Sequence, residues 1–537
     1  MRRARQICGL WLLLAGCHTQ LHTQLPAPLV ALPAPGPAAE HYDTQLPTGP
    51  GIVGGDELAL RNAVEIAARE HDLQITPDPR LARLAAWTAE HTTPDGRLPA
   101  EQAIDAAARH LGLVEPTPHF IGLTTNASVG MQDHLLAETR QAFSDHEYSH
   151  YGGCVTQLGA GQRLYVIALA WRWLSLAPVA REVQLGSEVA LEGDLTHGFS
   201  SPELAVTLPD GQVVRGAPQP TGHFALRVPT RLAGVYQVEL LAQGKLGIEV
   251  VANFPIYVGV PAPVDVAAPP NASGRNLVAT GADDVHISLD LLNHERTLAG
   301  LHPVVLDAAL SGIAKAHDLD MLEHGFVGHT SPTTGTTLDR VTRAGLRSSL
   351  VLENIGRDSS VQAVHAGLMN SPGHRGNILH PQATNVGIAV VTHGDGLDRI
   401  YLVTQLFTRV SEPLPADAVQ RLLAGINQAR AAHGGKPLGE ERELRELAQH
   451  AAEQYFREPA RTDEQIMSEL RGALARTPAK RPRKLGALLA VAGGLDDISG
   501  LAAVLDPTVQ AISIGLAQGS RPDGFPNAIC AVLLLSQ

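Results

Sequence analysis

The feature that most constrains the fold is a pattern that recurs in the second half of the chain. One helix-like segment begins at Asn293 and another at Asn427. Matching positions follow at offsets of 3, 7, 11, 17 and 21 residues in both copies, namely Arg296, Gly300, Val304, Leu310 and Ala314, and Arg430, Gly434, Leu438, Leu444 and Ala448. Apolar periodicity interrupted by a short break predicts two helices joined by an extended segment. A weaker copy begins at Val64, without the Asn and the Arg.

Each copy ends in a glycine-led pair of strands. The expected pairs are Gly387 with Tyr401–Phe407, Gly515 with Ile529–Leu535 and, in the first copy, Gly153 with Tyr165–Leu169. Helices followed by such strands predict one α/β plan for three units. The units are residues 53–178, 285–412 and 413–537, and only the middle one looks complete.

A different pattern separates the first two units. Residues 179–260 contain short alternating apolar runs at 204–208, 212–214, 224–228 and 235–240, with a turn at Asp210-Gly211. Strands at this spacing predict a small β-sandwich of immunoglobulin-like type. Residues 261–284 contain four prolines and are predicted to be a linker.

The N-terminus has the features of an export signal. Arg2, Arg3 and Arg5 precede an apolar run that is too short to span a bilayer, and the run ends in Leu14-Ala15-Gly16-Cys17. This ending resembles the lipobox of bacterial lipoproteins, which implies that residues 1–17 are a signal peptide with lipobox, that Cys17 is lipidated and that the protein attaches to a membrane. The alternative is an ordinary signal peptide with an incidental cysteine. No Asp follows Cys17, so the outer membrane is the expected location, and the Pro/Ala-rich residues 18–52 are expected to form an extended tether.

Charge and cysteine content exclude some classes of protein. The net charge of −13 argues against nucleic acid as a partner, because the chain has no overall basic surface to neutralise phosphates. Four cysteines are too few for a disulfide scaffold. Cys154 and Cys530 fall in different outer units, and either a bridge between them or two buried thiols is compatible with the sequence.

The middle unit carries four motifs in order. They are Gly-His-Thr-Ser-Pro at 328–332, Glu-Asn-Ile at 353–355, Ser-Pro-Gly-His-Arg-Gly-Asn at 371–377 and Thr-Gln-Leu-Phe at 404–407. Together they resemble the CAP superfamily (cysteine-rich secretory, antigen 5 and pathogenesis-related proteins, also called SCP-like), in its bacterial, cysteine-free branch. The resemblance covers about residues 285–410. It implies an α-β-α sandwich whose cleft is lined by two His and two acidic residues, which map to His329, Glu353 and His374. The fourth, acidic position falls on Ser371.

The residues themselves support part of this site. Ser371 followed by Pro372 predicts a helix N-cap with proline at the first helical position, so His374 is expected in the first turn. Two imidazoles and one carboxylate are also a ligand set for zinc, which we expect to bind weakly, if at all, through His329, Glu353 and His374. The same groups, with Ser371, are candidates for binding a polar ligand head, and a third alternative is that they only tie loops together.

A second zinc motif has the wrong context. Residues 146–150 read His-Glu-Tyr-Ser-His, which matches the metallopeptidase pattern H-E-x-x-H. That chemistry requires both histidines on one continuous helix. Gly152 and Gly153 follow almost at once, and such pairs end helices, so the peptidase interpretation is disfavoured.

These observations predict an α+β multidomain envelope lipoprotein: a central CAP domain, two degenerate CAP-like units and a β-sandwich. The expected function is non-catalytic, as a binding or interaction module for a small apolar or lipid-like ligand. The alternatives are a metal-dependent envelope hydrolase and a purely structural spacer.

Overall fold

The computed structural model describes residues 29–34, 40–45, 55–93, 98–116, 118–125, 131–145, 147–158, 162–267, 281–394, 399–477, 484–522 and 524–537. Cys17 and the predicted signal peptide lie outside these residues. None of the described helices combines the length and the apolar character that crossing a bilayer requires.

The described part begins with two short strands, β1 (Leu29–Ala31) and β2 (His41–Tyr42). The first unit follows, with α1 (Gly55–Glu70), β3 (Thr76–Pro77), α2 (Pro79–Glu90), α3 (Glu101–His110), β4 (His119–Thr125), α4 (Met131–Asp145), β5 (His150–Leu158) and β6 (Gln162–Ala170). Asp78 begins α2 because its side chain accepts a hydrogen bond from the Arg80 amide and Pro79 occupies the first turn. Alternate residues of β6 pack into separate hydrophobic clusters, so helices cover both faces of the sheet.

The second segment is built of strands alone: β7 (Leu174–Leu176), β8 (Val179–Ala180), β9 (Glu182–Val183), β10 (Glu188–Leu195), β11 (Ser200–Thr207), β12 (Val213–Arg215), β13 (His223–Pro229), β14 (Gly234–Gly244), β15 (Gly247–Val258) and β16 (Asp265–Ala267). Eight of them form a sheet of order β13-β10-β7 and a sheet of order β12-β11-β14-β15-β9, whereas β8 and β16 pair with β2 and β1. Phe224 of the first sheet and Val238 and Phe254 of the second belong to one hydrophobic cluster. The two sheets therefore share a core; we call this segment the β-sandwich.

The middle unit contains α5 (Gly281–Leu298), β17 (Val305–Leu306), α6 (Ala308–His324), α7 (Thr337–Arg343), β18 (Val351–Asp358), α8 (Val361–Asn370), α9 (Pro372–Ile378), β19 (Asn385–His393) and β20 (Ile400–Thr408). Along β20, Val403 and Phe407 pack beneath α5 and α8, whereas Leu406 packs beneath α6 and α7. The sheet thus lies between two helical layers, in an α-β-α arrangement.

The last unit contains α10 (Ala418–Ala432), β21 (Gly439–Glu440), α11 (Arg445–Arg457), α12 (Asp463–Arg476), β22 (Leu485–Ala492), α13 (Leu495–Ser499), α14 (Ala502–Leu505), β23 (Ala511–Gly519) and β24 (Ala528–Ser536). Its sheet order is β21-β23-β24-β22, and the corresponding orders are β17-β19-β20-β18 in the middle unit and β3-β5-β6-β4 in the first. In all three sheets, the short edge strand pairs in parallel with its neighbour, and the remaining strand pairs are antiparallel.

Two polar side chains make matching contacts in the last two units. The Asn293 side chain bonds both the N–H and the C=O of Val304, and the Asn427 side chain does the same at Leu438. The buried Arg296 guanidinium donates to four backbone carbonyls, His302, Ile378, His380 and Ala383. Arg430 donates to the four carbonyls of Lys436, Val504, Asp506 and Val509. The shared Asn and Arg of the sequence pattern thus have the same task of fixing loops to a helix.

Close packing identifies the glycine of the first unit that corresponds to Gly387. A Cβ added to Gly387 would lie 2.2 Å from the backbone carbon of Leu310, and one added to Gly152 would lie 2.0 Å from the Ala82 amide nitrogen. A Cβ on Gly153 would meet only the Leu60 side chain. The prediction of Gly153 was therefore wrong by one residue, because it is Gly152 that faces the helix backbone.

The predicted tether, residues 18–52, is partly packed onto the folded units. Tyr42 is fully buried, with its ring 4.6 Å from that of Phe254, and β2 pairs with β8. β1 pairs with β16 inside the predicted linker, and the Trp87 indole donates to the Ala31 carbonyl at 2.9 Å. Prolines do not prevent an extended chain from adding edge strands and burying an aromatic side chain, which the expectation of a free tether overlooked.

The two described cysteines are both free thiols. Cys530 is buried, and burial raises the pKa of its thiol to about 12, with the charge of Asp463 adding to the effect. Cys154 is partly buried, and burial raises its pKa as well. Of the two alternatives from the sequence, a disulfide bridge or two separate thiols, the structure contains the two separate thiols.

Candidate functional site

The local sequence places His374 in the cleft. The Ser371 hydroxyl oxygen accepts a hydrogen bond from the His374 amide at 3.4 Å, and Pro372 starts α9, as the sequence predicts. Asn354 donates from its side chain to the His374 carbonyl at 3.2 Å, and Asn377 donates to the Glu353 carbonyl at 3.2 Å. These amides hold β18 and α9 together and so fix the two site-bearing elements.

Glu353 lies on β18 and accepts hydrogen bonds from several side chains. His329 contacts it through Nδ1 at 3.0 Å, and the Thr337 hydroxyl donates at 2.8 Å. Arg340 donates to both carboxylate oxygens, at 2.7 and 3.0 Å. Burial opposes ionisation of Glu353, but the hydrogen bond and charge of His329, together with Arg340, outweigh it and hold the pKa below its ordinary value.

Arg340 is a site residue that the sequence reasoning missed. It lies on α7, is buried, and also donates to the carbonyls of His329 at 3.1 Å and Gly335 at 2.8 Å. It therefore joins the His329 loop to Glu353. A buried carboxylate requires a cation or several donors, so the need for a basic partner to Glu353 was a usable signal.

His374 is the second imidazole of the cleft. Its ring centroid lies 6.5 Å from that of His329. Burial lowers the pKa of His374 to about 3, and the charges of His329 and Arg215 add to the effect. His374 is therefore neutral near pH 7 and can either donate or accept a hydrogen bond.

The four predicted ligand-binding residues line one cavity, which has a volume of about 2310 Å³. His329, Glu353, Ser371 and His374 lie at the middle unit. The β-sandwich contributes side chains that include Glu239, Leu246, Ile248 and Glu249, and the first unit contributes side chains that include Leu98, Phe120 and Trp171. The sequence could not reveal this composite lining, because it depends on how three segments pack.

The arrangement does not match a zinc centre as it stands. Among the described residues, no group of three His, Cys, Asp or Glu side chains could hold a metal ion. The Glu353 carboxylate is already neutralised by Arg340, with both oxygens bonded. The carboxylate is thus suited to orienting His329, and weak zinc binding stays a prediction.

The H-E-x-x-H segment is not helical where it is described. α4 ends at Asp145, residues 147–149 have no regular structure, and His150 begins β5. His146 lies outside the described residues. His150 contacts Ser149 through Nδ1 at 2.8 Å, and burial lowers its pKa to about 4. This geometry does not present Glu147 and His150 on one helix face, as the peptidase motif requires.

Comparison with known proteins agrees with the motifs. Residues 289–407 match the model of the CAP family, described as the cysteine-rich secretory protein family. The chain contains a CAP domain. The family resemblance drawn from the four sequence motifs is thereby confirmed for the middle unit.

Two relatives come from Bacillus subtilis (strain 168). The uncharacterized protein YkwD is 36% identical over 107 residues, which are 20% of this chain and 42% of that protein. The uncharacterized membrane protein YlbC is 30% identical over 122 residues, 22% of this chain and 33% of that protein. The matches therefore span less than half of the length of either relative.

Solved structures with similarity include two bacterial proteins. An outer surface protein from Borrelia burgdorferi is 19% identical, with a TM-score of 0.23, and the match covers 24% of this chain and 95% of that one. An extracellular protein containing an SCP domain from Bacillus anthracis is 20% identical, with a TM-score of 0.23. This match covers 44% of this chain and 86% of that one.

Proposed function

We propose that this chain is an envelope-anchored, non-catalytic binding module, and that its CAP cleft takes the polar head of a small apolar or lipid-like ligand. The observation that carries the proposal is the shared cavity, which has two histidines at one side and apolar side chains from other segments around it. Pockets for small ligands combine apolar walls with a few placed polar groups.

The polar end offers defined hydrogen-bonding groups. Because Nδ1 of His329 faces the ionised Glu353, that nitrogen carries the proton and donates. Nε2 of His329 makes no hydrogen bond within the described part of the chain, so it is available to a ligand head. Together with the neutral His374, this favours a ligand head with a hydroxyl or amide group.

The apolar part of the ligand would contact exposed apolar side chains that line the cavity. Val327, Leu338 and Ile248 line the cavity with 36, 59 and 47% of their surfaces exposed. Large apolar side chains exposed in one cavity favour contact with an apolar partner over contact with water.

The protonation states argue against catalysis by these residues. A general base works best with a pKa near the operating pH. The pKa of Glu353 is held below its ordinary value by His329 and Arg340, and that of His374 is lowered to about 3 by burial. Both groups are therefore weak bases at neutral pH, which supports the binding function over the hydrolase alternative.

A direct binding experiment tests the proposal. The full chain would be purified in detergent and titrated with a fluorescent fatty acid, and native mass spectrometry would identify lipids that copurify. Leu338→Arg is expected to weaken binding by tenfold or more, because it places a charge on an apolar part of the cavity lining. The matched control is Leu298→Arg, since Leu298 is 70% exposed and does not line the cavity. Equal affinity of the two variants, or no binding by the unmodified chain, would refute the proposal.

Anchoring is part of the same proposal and rests on residues 14–17. Lipidation of Cys17 with more than one acyl chain would hold the protein stably at a membrane, with the outer membrane expected because no Asp follows the cysteine. Cys17→Ser should abolish labelling by a radioactive fatty acid and release the protein from the membrane fraction. Unchanged labelling would show that Cys17 is not the anchor.

We also infer that the outer units are degenerate copies of the CAP domain. The shared strand order and the matching contacts of Arg296 and Arg430 support this inference. The position equivalent to His329 by sequence offset is Ala100 in the first unit and Asp463 in the last. Neither outer unit keeps the cleft histidine, so packing or contact with partners is the function we assign to them.

A further inference from the structure

The β-sandwich contacts the two segments that carry the cleft histidines, the His329 loop and helix α9. The Thr330 amide donates to the Leu246 carbonyl at 2.8 Å, and a Cβ added to Gly328 would lie 2.6 Å from the Cβ of Leu246. On α9, the Arg375 guanidinium donates to the Gly211 carbonyl at 3.4 Å. Both segments of the CAP domain thus contact turns of the β-sandwich.

Glu239 of β14 reaches furthest into the CAP domain. It is fully buried, and its Oε2 accepts a hydrogen bond from the Gly373 amide at 2.7 Å. The Asn253 side chain donates to Oε1 at 3.1 Å. Burial raises the pKa of Glu239, and the nearby Ser371 hydroxyl, the Gly373 amide and the Asn253 side chain oppose this by favouring the ionised carboxylate.

The β-sandwich core does not need this carboxylate. Side chains alternate along a strand, and Val238 and Leu240 point into the hydrophobic cluster of the β-sandwich. Glu239 therefore lies on the opposite face, which contacts α9. Leaving a carboxylate buried there would be costly without the donors that α9 supplies.

Glu239 contacts the segment in which the CAP pattern has an acidic residue. The acidic position is Ser371 in this chain. The Glu239 carboxylate accepts a hydrogen bond from the amide of Gly373, two residues further on, and the Ser371 hydroxyl lies near enough to favour its ionised form. The same first turn of α9 carries His374, whose amide donates to the Ser371 oxygen.

We propose that Glu239 of the β-sandwich supplies the second carboxylate of the CAP cleft in place of an acidic residue at position 371, and that it is a positioning residue for His374. The CAP cleft is then complete only when the β-sandwich is docked on it. This assignment concerns the construction of the site and holds whatever the ligand is.

Hydrogen–deuterium exchange of the full chain tests the positioning. Glu239→Ala is expected to speed exchange in peptides covering 371–379 by about ten- to hundredfold, the effect of losing hydrogen bonds to a charged group. Glu239→Gln should have a smaller effect, because its amide oxygen still accepts one donor. The control is Gln237→Ala, which alters the same strand and the same neighbour, Asn253, and should leave α9 unchanged. Equal exchange in the Ala variant and the control would overturn the proposal.

Exchanging the two side chains gives a sharper test. Ser371→Glu alone should loosen α9, because two carboxylates then compete for one position. Combined with Glu239→Ser, the same change should restore much of the protection. Each single variant increases the exchange rate of α9 by some factor. If the increase in the double variant equals the product of these two factors, the two positions are independent and the proposal is wrong. No ligand enters either measurement, so failure here would leave the proposed binding function standing.

Discussion

Replacing Arg340 by Met should destabilise the CAP domain more than any other single charge removal at the cleft. Arg340 makes five hydrogen bonds, two of them to Glu353, whose side chain is only 3% exposed. Its loss leaves a buried carboxylate without its arginine partner, which costs about 3–5 kcal/mol. Since every 1.4 kcal/mol is a factor of ten, protection against exchange in β18 should fall by about 100-fold or more.

Hydrogen–deuterium exchange suits this measurement, because a chain of several units need not unfold in one step. Arg343→Met is the matched control: Arg343 lies on the same helix and donates to one exposed carbonyl, so its effect should stay within about 0.5 kcal/mol. Adding Glu353→Gln to Arg340→Met should recover a large part of the loss, because the buried charge is removed. If Arg340→Met costs no more than Arg343→Met, the electrostatic account of the cleft is refuted.

Three further predictions concern other parts of the molecule. Gly387→Ala should lower the free energy of unfolding of the CAP domain by about 1–3 kcal/mol, because the added Cβ would meet the Leu310 backbone. The control Gly367→Ala, in an open part of α8, should be neutral or stabilising. Thermal denaturation of the two variants compares these effects. Burial opposes ionisation of Asp78, but the positive charges of Arg80 and Arg172 lower its pKa to about 2. The ionised carboxylate therefore contributes about 2 kcal/mol of folding stability above pH 4, which should be lost as the pH falls from about 4 to 2. An acid titration that shows unchanged stability in this range would contradict the prediction. Zinc, if it binds at all, should bind weakly in calorimetry and lose that affinity after His374→Ala. An affinity unchanged by this substitution would place any metal elsewhere.

Local features of the cleft were accessible from the sequence. Ser371 and Pro372 predict the start of α9, and the structure begins the helix there because a hydroxyl acceptor and a fixed proline φ satisfy the first turn. The strands of the β-sandwich likewise occur where the apolar alternation predicts them, at β11, β13 and β14. Both features depend on residues that are close together in the chain.

Contacts between distant segments were not accessible. Glu239 and Gly373 are 134 residues apart, and no local pattern marks a glutamate on β14 as a partner of α9. Tyr42 was placed in a free tether for the same reason, because its burial depends on Phe254 in another segment. Proline-rich composition predicts an extended backbone, but it does not predict whether that backbone finds a sheet edge.

The contacts of the β-sandwich change what a study of the CAP domain alone can report. Without the β-sandwich, the Gly373 amide loses its carboxylate acceptor, and the Thr330 amide loses the Leu246 carbonyl. Water would replace these partners, but it would not fix the His329 loop and α9 in one relative position. The distance between the two imidazoles depends on how that loop and helix are held, so it is a property of the CAP domain and the β-sandwich together. Binding measured on residues 285–412 would therefore describe a looser cleft than the one in the full chain.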